Sequence, residues 1–427
     1  MERLLHYVWK YKLYTAAPLT TTEGIPVQVI DPGIQNTDAG PDFFNAKIKI
    51  EETTWVGSVE IHDRASDWMR HHHDQDKAYD AVILHVTSSN DAEVCRTNGE
   101  PIPQVVLTVP ASVERNIEWL LHRDCAVPCL NCIRLLDPLH LSSWMSALLS
   151  ERLERKTRDI LNLLPQYGYN WNEAFYITLT RNFGFGVNSD AFERLARSLP
   201  LACIQKQRSS HSQVEAMLFG QAGMLQETMG EQGNYYYRLL QREYQFLQHK
   251  HGLTPLDVSV FRSLRMRPAN SPHLKLAQLA AIWTQHDTLF SLLLEARTPG
   301  EIKRYFRILP SDYWETHYHF RSISPKKEKQ LGESVINILL INTVVPMFFA
   351  YGLHSEQPEY CDRALRLLET IPPEKNTIVT TFCRAGITTR HAGDSQALIQ
   401  LKREYCEKKK CLYCRIGYQL LRKEVLT

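Results

Sequence analysis

The densest run of side chains able to do acid–base or metal chemistry lies between Asp38 and His85. Asp38 and Asp42 flank a Gly40-Pro41 turn. Glu60 and His62 stand two apart in Trp55–His62, a segment with strand character. Alternate residues of a strand share a face, so these two side chains point together. Asp42 sits at the mouth of the preceding strand, Phe43–Ile50, which alternates apolar and polar residues. Glu51–Thr54 reads as the turn that joins the two segments into a hairpin. That hairpin brings Asp42 within reach of Glu60 and His62. Two carboxylates and an imidazole suit a divalent cation, Mg²⁺ or Mn²⁺, held through oxygen and nitrogen. Such an ion activates water and stabilises phosphorane-like charge. Asp42, Glu60 and His62 are therefore the candidate catalytic residues and metal ligands. The plainer alternative makes Asp42 a turn cap and Glu60 with His62 a structural hydrogen-bond cluster.

A second group follows at once: His71, His72, His73, Asp74 and Asp76, with His85 beyond. The spacing predicts a helix over Arg64–Tyr79. On that helix His72 and Asp76, or His73 and Asp76, share a face and form a pair able to ligate zinc, iron or manganese. A solvated polar helix face is the competing reading. His85 falls in the apolar strand Ala81–Thr87, where a satisfied core histidine is the ordinary case.

Near the other end, Cys406, Cys411 and Cys414 have the spacing C-x4-C-x2-C, and Cys383 stands upstream as a fourth thiolate. Four thiolates suit a structural zinc or an iron–sulfur cluster. Cys125, Cys129 and Cys132 form another triad, and the two triads share one site if the ends of the chain meet. Around the C-terminal cysteines lie Lys408, Lys409 and Lys410, with Lys402, Arg403 and Arg415, and Tyr405 and Tyr413 interleaved. They form a candidate phosphate-contacting patch. Arg265 and Arg267, just before Pro268, are further candidates for nucleic acid, with Arg262 one helical turn before Arg265. The alternatives are a solvated charge run and arginines that bridge helices.

The elements that must position these groups change character along the chain. Met1–Tyr14 reads as a short amphipathic helix rather than a leader peptide. Strands Val27–Ile30, Phe43–Ile50, Trp55–His62, Ala81–Thr87 and Val105–Val109 follow. Beyond Pro110 helical periodicity dominates, broken by prolines. The fold class is α+β, with an N-terminal mixed-sheet α/β domain followed by a mostly helical one. The composition breaks suggest domains over 1–115, 116–371 and a helical, cysteine-rich, basic segment 372–427. At 427 residues the chain is too long for one ordinary core. Forty-nine basic against 47 acidic residues leave a formal charge of +2, so any nucleic-acid surface must be local. The longest apolar run, Val335–Gly352, is interrupted by Asn337, Asn342 and Thr343, so no membrane partner is expected. The ten cysteines read as thiols of a cytoplasmic protein.

The order Pro41-Asp42, Glu60-Ile61-His62, helix, strand resembles the PD-(D/E)xK nuclease superfamily over about 60 residues. The resemblance implies a nuclease-like fold and metal-dependent hydrolysis of DNA or RNA. Asp42 and Glu60 match its acidic positions. His62 stands where that superfamily places a lysine, and it would orient water, ligate metal, or mark a site that has lost catalysis. The last option corresponds to a non-catalytic nucleic-acid- or protein-binding scaffold. Most of the chain is similar to the uncharacterised bacterial domain-of-unknown-function family 2851. Asp38–Phe43, Gly57–His62, Ser66–Trp68, Val82–Val86, Leu218–Gly223 and Arg265–Pro268 carry that similarity. Membership implies no activity or partner.

Overall fold

The computed structural model describes residues 2–14, 19–36, 38–122, 125–226 and 234–421. The chain forms two compact units, one of 1–144 with 401–427 and one of 145–400. These limits differ from the composition breaks at 115/116 and 371/372. The sheet unit extends through helix α3 (Ala111–His122) because the C-terminal helix Arg415–Leu421 packs on it.

The first unit is built on a mixed sheet. Its strands are β1 (Leu19–Thr20), β2 (Pro26–Asp31), β3 (Ile34–Gln35), β4 (Phe43–Ile50), β5 (Thr53–Arg64), β6 (Val82–Ser89) and β7 (Gln104–Val106). They are ordered β1-β2-β4-β5-β6-β7, with β3 also paired to β4. The expected hairpin is β4–β5, antiparallel, with Phe43 opposite Val59 and Ile50 opposite Thr53. Its turn is tighter than Glu51–Thr54, because Glu51 adopts a left-handed φ of 53° and two residues suffice. β5 then pairs in parallel with β6, with Glu60 opposite His85. β6 pairs in parallel with β7. The first and last strands meet at the Thr21–Val105 bridge, which protects edges that would otherwise present unpaired amides.

Helix α1 (Glu2–Lys10) buries Leu5, Tyr7, Val8 and Trp9 and packs on β5. The indole N–H of Trp9 donates to the Pro32 carbonyl at 3.0 Å, and Lys12 Nζ donates to the Val29 and Ile30 carbonyls at 2.8 Å. The helix is thereby pinned to the loop that leads into the hairpin.

The predicted helix over Arg64–Tyr79 is not continuous. It resolves into α2 (Asp67–Arg70) and two 3₁₀ turns, His73–Gln75 and Lys77–Tyr79. His72 breaks it with a left-handed φ of 61°, and Asp76 spends its side chain capping Ala78 N–H at 2.9 Å. Histidine and aspartate are weak helix formers, and Asp76 finds a better partner outside a helix. The proposed face shared by His72 or His73 with Asp76 therefore does not form.

The second unit is helical around one large core that includes Phe175, Tyr176, Phe219, Trp283, Trp314 and Phe348. The α/β-then-helical order read from the sequence holds. Among the described residues one helical stretch, Glu333–His354, is long and apolar enough to cross a membrane, but 72% of its most apolar window is buried inside the protein, as in a core helix.

Gly57 marks the closest approach of β5 to the start of β6. A Cβ there would lie 2.4 Å from Ile83 Cγ2 and 2.8 Å from the Ala81 carbonyl oxygen. Backbone cannot yield as a side-chain tip can. Gly57→Val is expected to destabilise the first unit by about 1–3 kcal/mol. A shift of the urea midpoint measures this, and an unchanged midpoint would contradict the packing described.

Candidate metal centre

Glu60 lies at the middle of the sheet, 5% exposed, and its neighbours come from four segments. The hairpin supplies Asp42. The Asp42 amide donates to Glu60 Oε2 at 3.0 Å, and the Ile61 amide donates to Asp42 Oδ2 at 2.9 Å. This reciprocal pair locks the two carboxylates beside each other. A register shift between Phe43 and Ala46, with Asn45 at a φ of 54°, lets the strand bend there. From α1, His6 Nε2 lies 3.2 Å from Asp42 Oδ2.

Imidazoles occupy the other side. His62, two residues along β5, places Nε2 3.5 Å from Glu60 Oε1. His73, from the first 3₁₀ turn, places Nε2 3.4 Å from the same oxygen. His71, just past α2, points Nδ1 at His62 Nε2 at 3.2 Å. His85, on β6, closes the set with Nε2 2.9 Å from His62 Nδ1. Packing fixes the rings. His73 stacks on Tyr79 at 3.7 Å, and Trp68 meets His62, His73 and His85 edge-on. Trp68 is itself held by its N–H to the Cys95 carbonyl at 3.1 Å.

The ligand nitrogens of His62, His71 and His73 lie within 4.8 Å of one another, close enough to share one ion. His71 is exposed, so the group opens to solvent. A neutral imidazole carries one N–H and one lone pair. Both nitrogens of His62 face other ring nitrogens, and Nε2 also faces a carboxylate oxygen. A cation on the Nε2 side would take up the lone pairs that converge there.

Burial and neighbouring groups shift several of these side chains. Burial, reinforced by His85, His73, His71 and His6, drives the pKa of His62 down to about 2. Burial and His73 lower that of His85 to about 4, against the pull of Asp42 and Asp67. Burial raises the Glu60 carboxyl above its ordinary range, with the His73 hydrogen bond working against it. Burial opposes protonation of His6, yet the bond and charge of Asp42 prevail and raise it. Burial, Glu60, Asp42 and Asp76 push the Tyr79 hydroxyl up to about 12.

The three residues singled out from the sequence are thus neighbours, but their roles differ. Glu60 and His62 border the cluster directly. Asp42 is turned toward the Ile61 amide and His6, one step away. His71 and His73 join the cluster through a break in the helix, not through helical spacing, and His85 is a partner of His62 rather than an isolated core residue. The histidine run was the sequence signal for them; His6 had none. Lys408, Lys409 and Lys410 are exposed on the first unit, and Lys408 pairs with Glu404 at 2.5 Å. Arg265 and Arg267 are exposed on the second unit. They lie in a loop and not on a helix, because Arg265 takes a φ of 59°. Cys406, Cys411 and Cys414 belong to the first unit. Cys383 belongs to the second, exposed, with Sγ 3.5 Å from Thr389 Oγ1.

Residues 2–377 match the family described as Protein of unknown function (DUF2851). No curated protein and no solved structure matches the chain.

In the metal-free chain, the depressed His62 and His85 have a fixed consequence for acid stability. The folded rings refuse protons that the unfolded rings accept below their ordinary pKa of 6.5. Their contribution is complete above that pH and is lost progressively as pH falls toward the folded values. The denaturation midpoint should drop between pH 7 and pH 5, and drop less steeply in His62→Gln. Equal slopes in the two proteins would contradict the burial of a neutral His62.

Proposed function

The chain belongs to the DUF2851 family of proteins of unknown function, and for it we propose divalent-metal-dependent hydrolysis of nucleic-acid phosphodiester bonds at the Glu60–histidine cluster. The observation that carries this reading is the convergence of the His62, His71 and His73 nitrogens, with Glu60 Oε1 beside two of them. His62, His71 and His73 would hold the ion, and Glu60 Oε1 beside them would serve as the base. Magnesium prefers an all-oxygen shell, whereas imidazole suits manganese, iron or zinc. Of the two ions expected from the sequence, Mn²⁺ fits these donors better. A bound ion would supply a water of lowered pKa and a positive charge to a phosphodiester substrate.

Three features favour nucleic acid over other substrates. The hairpin bearing Asp42 and Glu60 is followed by a crossover to a parallel strand, the order of the nuclease superfamily whose signature the sequence resembles. A cleft lined by Arg3, His6, Lys10, Tyr11 and Tyr413 adjoins the Asp42 side, with cationic and aromatic groups suited to phosphate and base. The exposed lysines 408–410 stand on the same unit. In the reaction, water oxygen bonds to phosphorus while the bond to the leaving nucleotide oxygen breaks. The water proton passes to the Glu60 carboxylate, and the leaving oxygen takes one from solvent. Asp42 positions Glu60 and His6 rather than touching the ion. The unbridged cysteines accord with a cytoplasmic setting.

One observation favours a second reading. Asp42 and Glu60 each accept a backbone amide, so the acidic pair also serves as a structural clasp. A scaffold that binds nucleic acid or protein without cutting would keep that clasp.

Cleavage of single- and double-stranded DNA and RNA with Mn²⁺ separates the readings. The proposal expects metal-dependent cleavage that falls at least about a hundredfold in Glu60→Gln and His73→Gln, with Asp42→Asn also impaired. Metal-independent binding with no cleavage would favour the scaffold, and cleavage unchanged in all three variants would remove the site.

A further inference from the structure

The helical unit contains a cavity of about 60 Å³ whose walls include Phe183, Phe185, Phe192, Met266 and Pro272. The charged residue of its lining is Lys275, 4% exposed, on the helix Pro272–Gln285. Lys275 Nζ donates to Gln278 Oε1 at 3.1 Å and stands 4.8 Å from the centre of the Phe185 ring. Gln278 is neutral, and its amide N–H is committed to the Lys329 carbonyl at 2.8 Å. Among the described residues no carboxylate pairs with Lys275. A buried ammonium without a counterion is costly, and an anion in the cavity would relieve that cost.

The surroundings add positive potential and fixed geometry. Asn270 and Pro272 bring the start of the Pro272–Gln285 helix to the cavity, and Ser271 makes no side-chain cap bond there. Met266 stands between Arg265 and Arg267, both exposed and neither paired with a carboxylate among the described residues. Phe185 holds a left-handed φ of 44°, a costly conformation for an aromatic residue. Gly184 lets the same loop close on itself, since a Cβ there would lie 2.3 Å from the Asn188 carbonyl carbon. Asn188 ties this loop to the next wall. Its Nδ2 donates to the Arg262 carbonyl at 2.9 Å, and the Arg262 amide donates to Asn188 Oδ1 at 2.8 Å. The two loops around Lys275 are thereby set before any ligand arrives.

We propose that this cavity binds the carboxylate head of a small organic acid, with Lys275 as its counterion. One ammonium among aromatic and aliphatic walls suits a singly charged head with hydrocarbon behind it. A phosphate dianion asks for more donors than this lining offers. Asn270, exposed on the lining, supplies a side-chain amide as a further donor, and exposed Val187 leaves room for the acid's chain. Burial draws the Lys275 pKa down to about 8, so most of the amine stays charged at neutral pH. The site shares no residue with the histidine cluster and stands or falls separately from it.

Calorimetric titration of the full-length chain with butyrate, in a buffer free of other carboxylates, tests the assignment. Saturable binding is expected at about millimolar concentration or tighter. Butanol and butylamine, with the same hydrocarbon and no negative charge, should bind at least about tenfold more weakly. Lys275→Met keeps the stem and removes the unpaired charge. It should unfold at a denaturant midpoint no lower than wild type and bind butyrate at least about tenfold more weakly. Val187→Asp, at an exposed position of the lining, places a like charge beside the ligand and should weaken butyrate without disturbing the core. Butyrate should raise the wild-type melting temperature and leave that of Lys275→Met unchanged. No saturable butyrate binding to folded wild type, equal affinity for butanol, or unchanged affinity in either variant would overturn the proposal.

Discussion

A buried carboxylate sets the terms for the first unit. Glu60 sits inside a sheet, where an isolated charge costs several kcal/mol unless partners surround it. Its partners are the Asp42 amide on one oxygen and two imidazoles on the other. The hairpin delivers the Asp42 amide, β5 itself delivers His62, and the broken helix after β5 delivers His73. Removing any one would leave a buried oxygen facing groups that cannot satisfy it. The same arrangement leaves convergent nitrogen lone pairs, and that surplus distinguishes the cluster from an ordinary buried network.

Support spreads outward from there. Trp68 and Tyr79 wall the imidazoles, and Trp68 belongs to a small core with Val82, Val94 and Ile102. α1 covers β5 and contributes His6, so the amphipathic N-terminus is part of the site. The helical unit holds its own buried polar centre, in which Glu215 accepts the Trp314 indole N–H at 2.9 Å and pairs with Tyr236 and Ser311. No function is assigned to it. Both units thus bury a glutamate beside imidazole, since His211 Nε2 lies 3.5 Å from Glu215 Oε1, but hydroxyl and indole donors also enclose Glu215.

The parts of this architecture that were legible in the sequence are those governed by local periodicity. Alternation in Phe43–Ile50 and the period-two pair Glu60 and His62 placed the hairpin and its shared face correctly. The apolar run Ala81–Thr87 identified the buried parallel strand. The illegible parts depend on backbone exceptions and on distance. A left-handed His72 and a capping Asp76 replaced the helix over Arg64–Tyr79, so His71 and His73 reach Glu60 by a route that helical spacing does not encode. His6 lies 54 residues from Glu60, and only the packing of α1 brings it near. The segments 125–132 and 401–414 likewise lie in one unit although far apart in sequence, joined by Lys402 Nζ to the Ala126 carbonyl.

The central claim is that imidazole nitrogens of this cluster share a divalent cation. Pulsed electron paramagnetic resonance on protein loaded with one equivalent of Mn²⁺ tests it most directly, because manganese disfavours the thiolates elsewhere in the unit. Nitrogen couplings from directly bound imidazoles are predicted, weakened in His73→Gln and lost when His62 and His71 are replaced as well. A spectrum with water protons alone, the same in wild type and variants, would contradict it.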